Sequence, residues 1–159
     1  MNQNDIDIRD LLRKDHERAL AELESLRDEG ESRRLLARLE SLRRAWVIHA
    51  LAEETVVYRA LEVAEGLTGT KSSADERFIE HELVEELFQK LSRSRPGSLE
   101  WTARINVARE LVARHIETEH EEMFERLAGN FDEEGLREIG HRFLLARAKL
   151  QMLEEAKAA

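Results

Sequence analysis

The chain has 159 residues, of which 42% are hydrophobic and 37% charged, and its formal net charge is −9. An acidic surface repels a phosphate backbone, so we expect no nucleic-acid partner. Since the sequence has no cysteine, disulfides, zinc–thiolate sites and iron–sulfur clusters are excluded, and any metal must bind through nitrogen and oxygen. Neither a leader pattern nor an apolar run of membrane-spanning length stands out, which predicts a cytoplasmic protein without a membrane contact.

Apolar residues recur at three- and four-residue steps in five segments, a spacing typical of helices with one buried face. The segments cover about 8–27, 32–65, 73–91, 98–127 and 132–154. Because the connections are short, the first four predict an antiparallel up-and-down four-helix bundle, and the fifth predicts an additional C-terminal helix packed against it. We therefore expect an all-α single domain over residues 1–159, with its bundle core at about 8–127.

Cap and turn residues separate these segments. Asp7 is the predicted N-cap of the first helix, and Ser73 with Glu76 has the spacing of a capping box at the start of the third. Glycine or proline interrupts the pattern within 29–31, 66–69, 96–98 and 129–130. Each interruption predicts the end of a helix.

Six ionisable side chains fall on the predicted buried faces, where a charge is costly unless it is paired or bound to a metal. They are His16, His49, Glu53, His81, Glu85 and His115. A single buried histidine is usually a satisfied core residue, but here each of the four bundle helices contributes at least one. Two histidines are each followed by a glutamate four residues later, which puts each pair on one helical face. The set favours a shared metal site, and nitrogen and oxygen ligands suit iron, manganese or zinc. His141 lies off its buried face and is predicted to be a surface residue.

The end of the fourth helix allows two interpretations. A regular helix brings Glu119 inward, four residues after His115. The apolar residues Phe124 and Leu127, however, share a stripe with His120. A π-type bulge near residues 116–119 produces such a one-residue slip and brings His120 into the site instead.

Four stretches of the sequence carry a family resemblance in order and spacing. They are LLRKDHER at 11–18, IHALAEETVVY at 48–58, EHELVEEL at 80–87 and RHIETEHEEMF at 114–124. At these residues the chain resembles the hemerythrin family, in particular the bacterial branch called hemerythrin HHE cation-binding domains. The resemblance covers nearly the whole chain.

The resemblance implies a non-haem centre of two iron ions bridged by carboxylates, with imidazole ligands from His16, His49, His81 and His115. Glu53 matches a bridging carboxylate, and Glu85 stands where the family has a second histidine or a glutamate. The second bridging carboxylate is expected five residues after the last-helix histidine, where this chain has His120. Glu119 can substitute for it if the helix stays regular.

The resemblance further implies binding of dioxygen, or of a related small ligand such as nitric oxide or peroxide, for sensing, carriage or stress protection. The alternatives are a di-iron enzyme that acts on peroxide or ferrous iron, and a structural bundle that has lost its metal. Apolar residues should keep water from the site, namely Trp46, Val56, Phe78, Phe88 and Val112. Tyr58, nine residues beyond His49, is expected to pack at the bundle end, with a hydrogen bond near the site as the alternative. The apolar residues Leu144, Leu145 and Met152 of the last segment predict either a cover for the bundle or a homodimer contact.

Overall fold

The computed structural model describes residues 6–28, 34–66 and 74–158, and these residues form five helices and no strand. Helix α1 is Ile8–Asp28, α2 spans residues 35–64, α3 is Ala74–Ser92, α4 spans residues 99–130, and α5 is Glu133–Ala158. The all-α prediction is confirmed, and the five helices are consistent with a helical bundle.

Two of the five helices contain a π-helical segment. Helix α2 is built from Leu35–Ala52, the π segment Glu53–Tyr58 and Arg59–Ala64. Helix α4 is built from Leu99–Thr118, the π segment Glu119–Met123 and Phe124–Asn130. A π turn takes up more residues than an α turn and therefore shifts the buried face. The slip in α4 was expected near 116–119, and the π segment begins at the end of that range, at Glu119. The π segment of α2 was not predicted.

The predicted helix ends are visible where the chain is described. Asp7 caps α1, because its Oδ1 accepts a hydrogen bond of 2.8 Å from the Arg9 backbone N–H. Ser98 caps α4 by accepting from the Trp101 backbone N–H at 3.1 Å. Gly66 ends α2 in the left-handed region, with φ of 69°. The predicted capping-box residue Ser73 and the breaks at 29–31 and Gly69 lie outside the described residues.

The helices pack so that α1 contacts α2 and α4, and α3 contacts the same two helices. Helix α5 lies against α1 and α2. Its residues Leu136, Ile139 and Phe143 are buried, and His141 is exposed as expected. Leu153, which continues the three- and four-residue spacing of these buried residues, is 49% exposed. The last turns of α5 run beside polar residues of α2, among them Ser41 and Arg44, so apolar burial stops there.

The core is divided into two apolar clusters. One contains Leu12, Val57 and Phe143, and the other contains Leu23, Trp46, Phe88 and Trp101. Along α1, His16 follows Leu12 of the first cluster and precedes Leu23 of the second. The inward histidines of the other bundle helices are likewise flanked by one cluster on each side. The polar residues therefore form one layer between two apolar regions. No described helix is both long and apolar enough to cross a membrane.

Candidate metal centre

Four imidazoles meet in this polar layer, one from each of α1 to α4. His16, His49, His81 and His115 are each at most 4% exposed. His16 Nε2 lies 3.1 Å from His49 Nε2, and His81 Nε2 lies 3.3 Å from His115 Nε2. The structure thus brings the four predicted histidines together as two pairs.

Two buried carboxylates lie between the histidine pairs. Glu53 Oε2 is 3.7 Å from His49 Nε2 and 3.4 Å from His81 Nε2. Glu119 Oε2 is 3.3 Å from both His16 Nε2 and His115 Nε2. Each carboxylate therefore contacts one histidine of each pair. Each of these oxygens could therefore bind a cation together with imidazoles of both pairs.

The unsatisfied atoms of this layer fit a cation. The side chains of Glu53 and Glu119 are fully buried. Among the described residues, Glu53 Oε1 and Glu119 Oε2 nevertheless have no hydrogen-bond partner. Buried acceptors without partners are costly and rare. Two groups of side chains each have their ligand atoms within 4.8 Å of one another. The first group is His16, His49 and His115, and the second is Glu53, His81, His115 and Glu119. A metal ion bound through nitrogen and oxygen would satisfy them.

In each inward histidine the ring nitrogen that points away from the cluster, Nδ1, contacts a residue of a neighbouring helix. Three of these partners are carboxylates: Asp15 contacts His49 Nδ1 at 3.2 Å, Glu54 contacts His81 Nδ1 at 2.9 Å, and Glu80 contacts His115 Nδ1 at 3.2 Å. An Nδ1–H that donates to a carboxylate leaves Nε2 with its lone pair directed at the site. We call these three carboxylates and the partner of the fourth histidine the outer ring.

The fourth member of the outer ring is His120 on α4. Its Nε2 lies 3.2 Å from His16 Nδ1, and its ring stacks on Phe124 with centroids 4.6 Å apart. Asp15, Glu54 and Glu80 were not predicted from the sequence. Their positions could have indicated them, because every member of the outer ring is adjacent in sequence to a residue of the inner layer. Each contacts a histidine of the next helix around the bundle.

Protons on the buried histidines and carboxylates balance the negative charge of the polar layer. Burial opposes protonation of His115, but the negative charge of Glu119, 3.3 Å away, and the hydrogen bond to Glu80 raise its pKa to about 10. The hydrogen bond from His115 lowers the pKa of Glu80 to about 2, against the effect of burial. Burial raises the pKa of Glu53, and the charge of Glu119 adds to that effect. Protons thus balance charge that a bound cation could balance instead.

Tyr58 belongs to the site, contrary to the expectation that it packs at the bundle end. Its hydroxyl donates to Glu119 Oε1 at 2.5 Å and lies 3.3 Å from Glu53 Oε2. Glu53 and Tyr58 are five residues apart, which an α-helix would place on different faces. The π segment Glu53–Tyr58 puts both on the same face.

The remaining predicted site residues have different positions. Glu119 enters the cluster because α4 is regular from His115 to Thr118 and its π segment begins only at Glu119. His120 stays half-buried at the edge, in contact with His16. Glu85 does not join the cluster. Its side chain is 35% exposed, and its Oε1 accepts from Arg43 Nη1 at 3.3 Å.

Aromatic rings and a small cavity border the cluster. The Trp46 ring lies 5.5 to 5.9 Å from the rings of His49, His81 and His115, and Phe143 of α5 lies 6.0 Å from His49. A cavity of about 270 Å³ between α1 and α2 reaches His16 and His49. Ala45 stands beside it, on an exposed turn of α2.

Comparison with known proteins agrees with this geometry. A family model described as hemerythrin HHE cation binding domain matches residues 7–127. A protein of Nostoc sp. (strain PCC 7120 / SAG 25.82 / UTEX 2576) named DNA nickase is 21% identical over 150 residues, which is 94% of this chain and 42% of that protein. The chain therefore spans less than half the length of this relative. No solved structure matches the chain significantly.

Proposed function

The chain belongs to the hemerythrin HHE cation-binding domain family, and from this premise we propose that it is a non-haem di-iron protein that binds dioxygen or a related small ligand. Nitric oxide and peroxide are the related ligands, and the role is sensing, carriage or stress protection. The proposal includes a single domain over residues 1–159 whose first four helices run up and down. Its last helix is an addition to that bundle.

The arrangement of two histidine pairs with two shared carboxylates carries this proposal. One iron would be held by His16 and His49, and the other by His81 and His115, with both carboxylates shared between them. The proposed set thus contains Glu53 and Glu119 and leaves out Glu85 and His120. Manganese or zinc suits the same atoms, so iron is the part of the proposal that rests on the family.

When bound, an iron pair with incomplete coordination supplies the redox chemistry and the affinity for dioxygen, while the protein supplies orientation and shielding. The outer ring fixes each imidazole with Nε2 directed inward. Trp46 and the two apolar clusters exclude water from the layer. The cavity beside His16 and His49 makes this side the proposed approach for an external ligand.

A metal count tests the proposal directly. The protein is loaded anaerobically with ferrous iron, freed of unbound metal, and analysed for iron per chain together with its visible spectrum after oxidation. We expect two irons per chain, and fewer in E53Q and E119Q. The surface variant H141Q should match the wild type. A single iron per chain would contradict the pair, and no retained iron, manganese or zinc would contradict the metal site and favour a structural bundle.

Turnover is the competing function for the same site. Hydrogen peroxide added to the iron-loaded protein should be bound without sustained oxygen evolution if the protein is a carrier or sensor. Continuous oxygen evolution, or continuous oxidation of added ferrous iron, would assign an enzyme instead.

We propose that the site has no nucleic-acid partner. The name DNA nickase describes a relative of which this chain covers 42%, and a net charge of −9 disfavours contact with phosphate. We expect supercoiled plasmid to remain intact with the iron-loaded protein.

A homodimer through the exposed Leu145 and Met152 stays a prediction, which sedimentation equilibrium would test.

A further inference from the structure

Helix α5 lies beyond the segment matched by the family model, yet two of its side chains reach the candidate metal centre. Arg147 Nη1 contacts both oxygens of Asp15, Oδ2 at 2.7 Å and Oδ1 at 3.1 Å. Asp15 Oδ2 in turn lies 3.2 Å from His49 Nδ1. A continuous chain of contacts therefore runs from α5 through α1 to a candidate ligand on α2.

The contact with Arg147 restricts the orientation of Asp15. A carboxylate on a rotatable side chain is held more firmly towards a neighbouring imidazole when a second contact restricts it in this way. The corresponding Glu80 is held by Arg77 of its own helix at 3.1 Å. Asp15 is held by Arg147, a residue of α5 that lies outside the matched segment 7–127.

Packing adds a second contact between α5 and the same imidazole. Phe143 is fully buried, with its ring centroid 6.0 Å from that of His49. The Arg147 guanidinium lies 5.7 Å from the centroid of the Phe143 ring. These two residues are one helical turn apart, so one face of α5 covers His49 and fixes its outer partner.

We propose that Arg147 is a positioning residue of the metal centre, which holds Asp15 so that Asp15 fixes the tautomer and orientation of His49. The inference rests on the proposed function, because it assigns α5 a part in the site that the family segment alone lacks. Removing the outer partner of a metal-bound histidine typically lowers metal affinity about 10- to 100-fold. An effect transmitted through one further residue should lie near the lower end of that range.

The test compares R147M with R142M, since Arg142 is exposed on the same helix. Cobalt(II) is the probe, and its affinity is measured by competition with a chromophoric chelator. We expect R147M to bind cobalt(II) about 10-fold more weakly and to shift the visible bands of the bound ion. R142M should match the wild type, and R147K should lie between. If R147M does not fold, R147K alone must still show weaker binding than R142M.

A second readout needs no metal. Nitrogen NMR of the metal-free wild type should show the Nδ1–H tautomer of His49, and R147M should show a mixture of tautomers. In a D15N background, R147M should have no further effect, because Arg147 acts through Asp15. Equal behaviour of R147M and R142M in both measurements, or an undiminished effect in D15N, would overturn the inference. Failure of the wild type to bind cobalt(II) would instead contradict the proposed metal site. The NMR measurement would still test whether Arg147 acts on His49 through Asp15.

Discussion

The Tyr58 hydroxyl donates a hydrogen bond of 2.5 Å to Glu119 Oε1, across the layer between α2 and α4. Tyr58 ends the π segment of α2, and Glu119 begins that of α4. Both helices therefore leave regular α geometry where this contact forms. The contact holds one oxygen of Glu119 and leaves Oε2 directed at His16 and His115.

The Y58F variant tests this contact in the metal-free protein. It removes a donor to a buried charged acceptor, which typically costs about 1.5–3 kcal/mol. We expect the free energy of unfolding in urea to fall by that amount. Unchanged stability would show that Glu119 Oε1 does not depend on the phenol.

The E53Q variant should separate stability from metal binding. Glu53 is fully buried with Oε1 unpaired, and burial together with Glu119 raises its pKa. Because burial and Glu119 already disfavour the charged form of Glu53, a neutral amide of the same shape should change the stability of the metal-free protein by no more than about 1 kcal/mol, while the iron content falls. E85Q is the matched control, because Glu85 pairs with Arg43 near the surface. Loss of iron from E85Q, with retention by E53Q, would reverse our assignment of ligands.

His120 offers a gain-of-affinity test. The other three members of the outer ring are carboxylates, which raise the basicity of the imidazole that they contact. H120E should therefore bind cobalt(II) more tightly than the wild type, and H120A more weakly, by about 10-fold in each direction. Both variants should keep the metal count. A drop in that count in H120A would instead identify His120 as a direct ligand.

The Glu65–Arg126 pair between α2 and α4 predicts a pH dependence away from the metal centre. Glu65 accepts two hydrogen bonds from Arg126, at 2.9 and 2.7 Å, and chiefly for this reason its pKa lies below the ordinary value. Its stabilising effect is therefore complete above the unfolded-state pKa of about 4.3 and is lost as the pH falls through the lower folded-state pKa. E65Q should cost about 0.5–1 kcal/mol at pH 7. The difference from the wild type should shrink near pH 3, and a constant difference would contradict the linkage.

The cavity beside His16 and His49 predicts the route of ligand entry. Ala45 is exposed at this cavity, so A45F should narrow it with little effect on stability. In the oxidised iron-loaded protein, we expect the association rate of azide to fall roughly 10-fold. The iron content should not change. An unaltered association rate would place the entry route elsewhere.

The sequence by itself determined the helices and the four histidines of the polar layer. Periodic apolar residues specify a buried face, and an ionisable residue on that face is costly without a partner, so His16, His49, His81 and His115 stand out without coordinates. The family resemblance rests on the same positions and is confirmed by the match over residues 7–127. These features are local, which is why a single sequence shows them.

Only the tertiary structure decided which other residues join that layer. Glu85 and Glu53 each follow a histidine by four residues, yet one pairs with Arg43 at the surface and the other is fully buried. The choice between Glu119 and His120 depends on where a π turn begins, and Tyr58 enters through a second π turn. The slip of the apolar stripe indicated a π turn in α4 but did not fix where it begins, because such turns arise when packing between helices outweighs regular hydrogen bonding within one helix. The outer ring and the contact of Arg147 with Asp15 likewise exist only between helices.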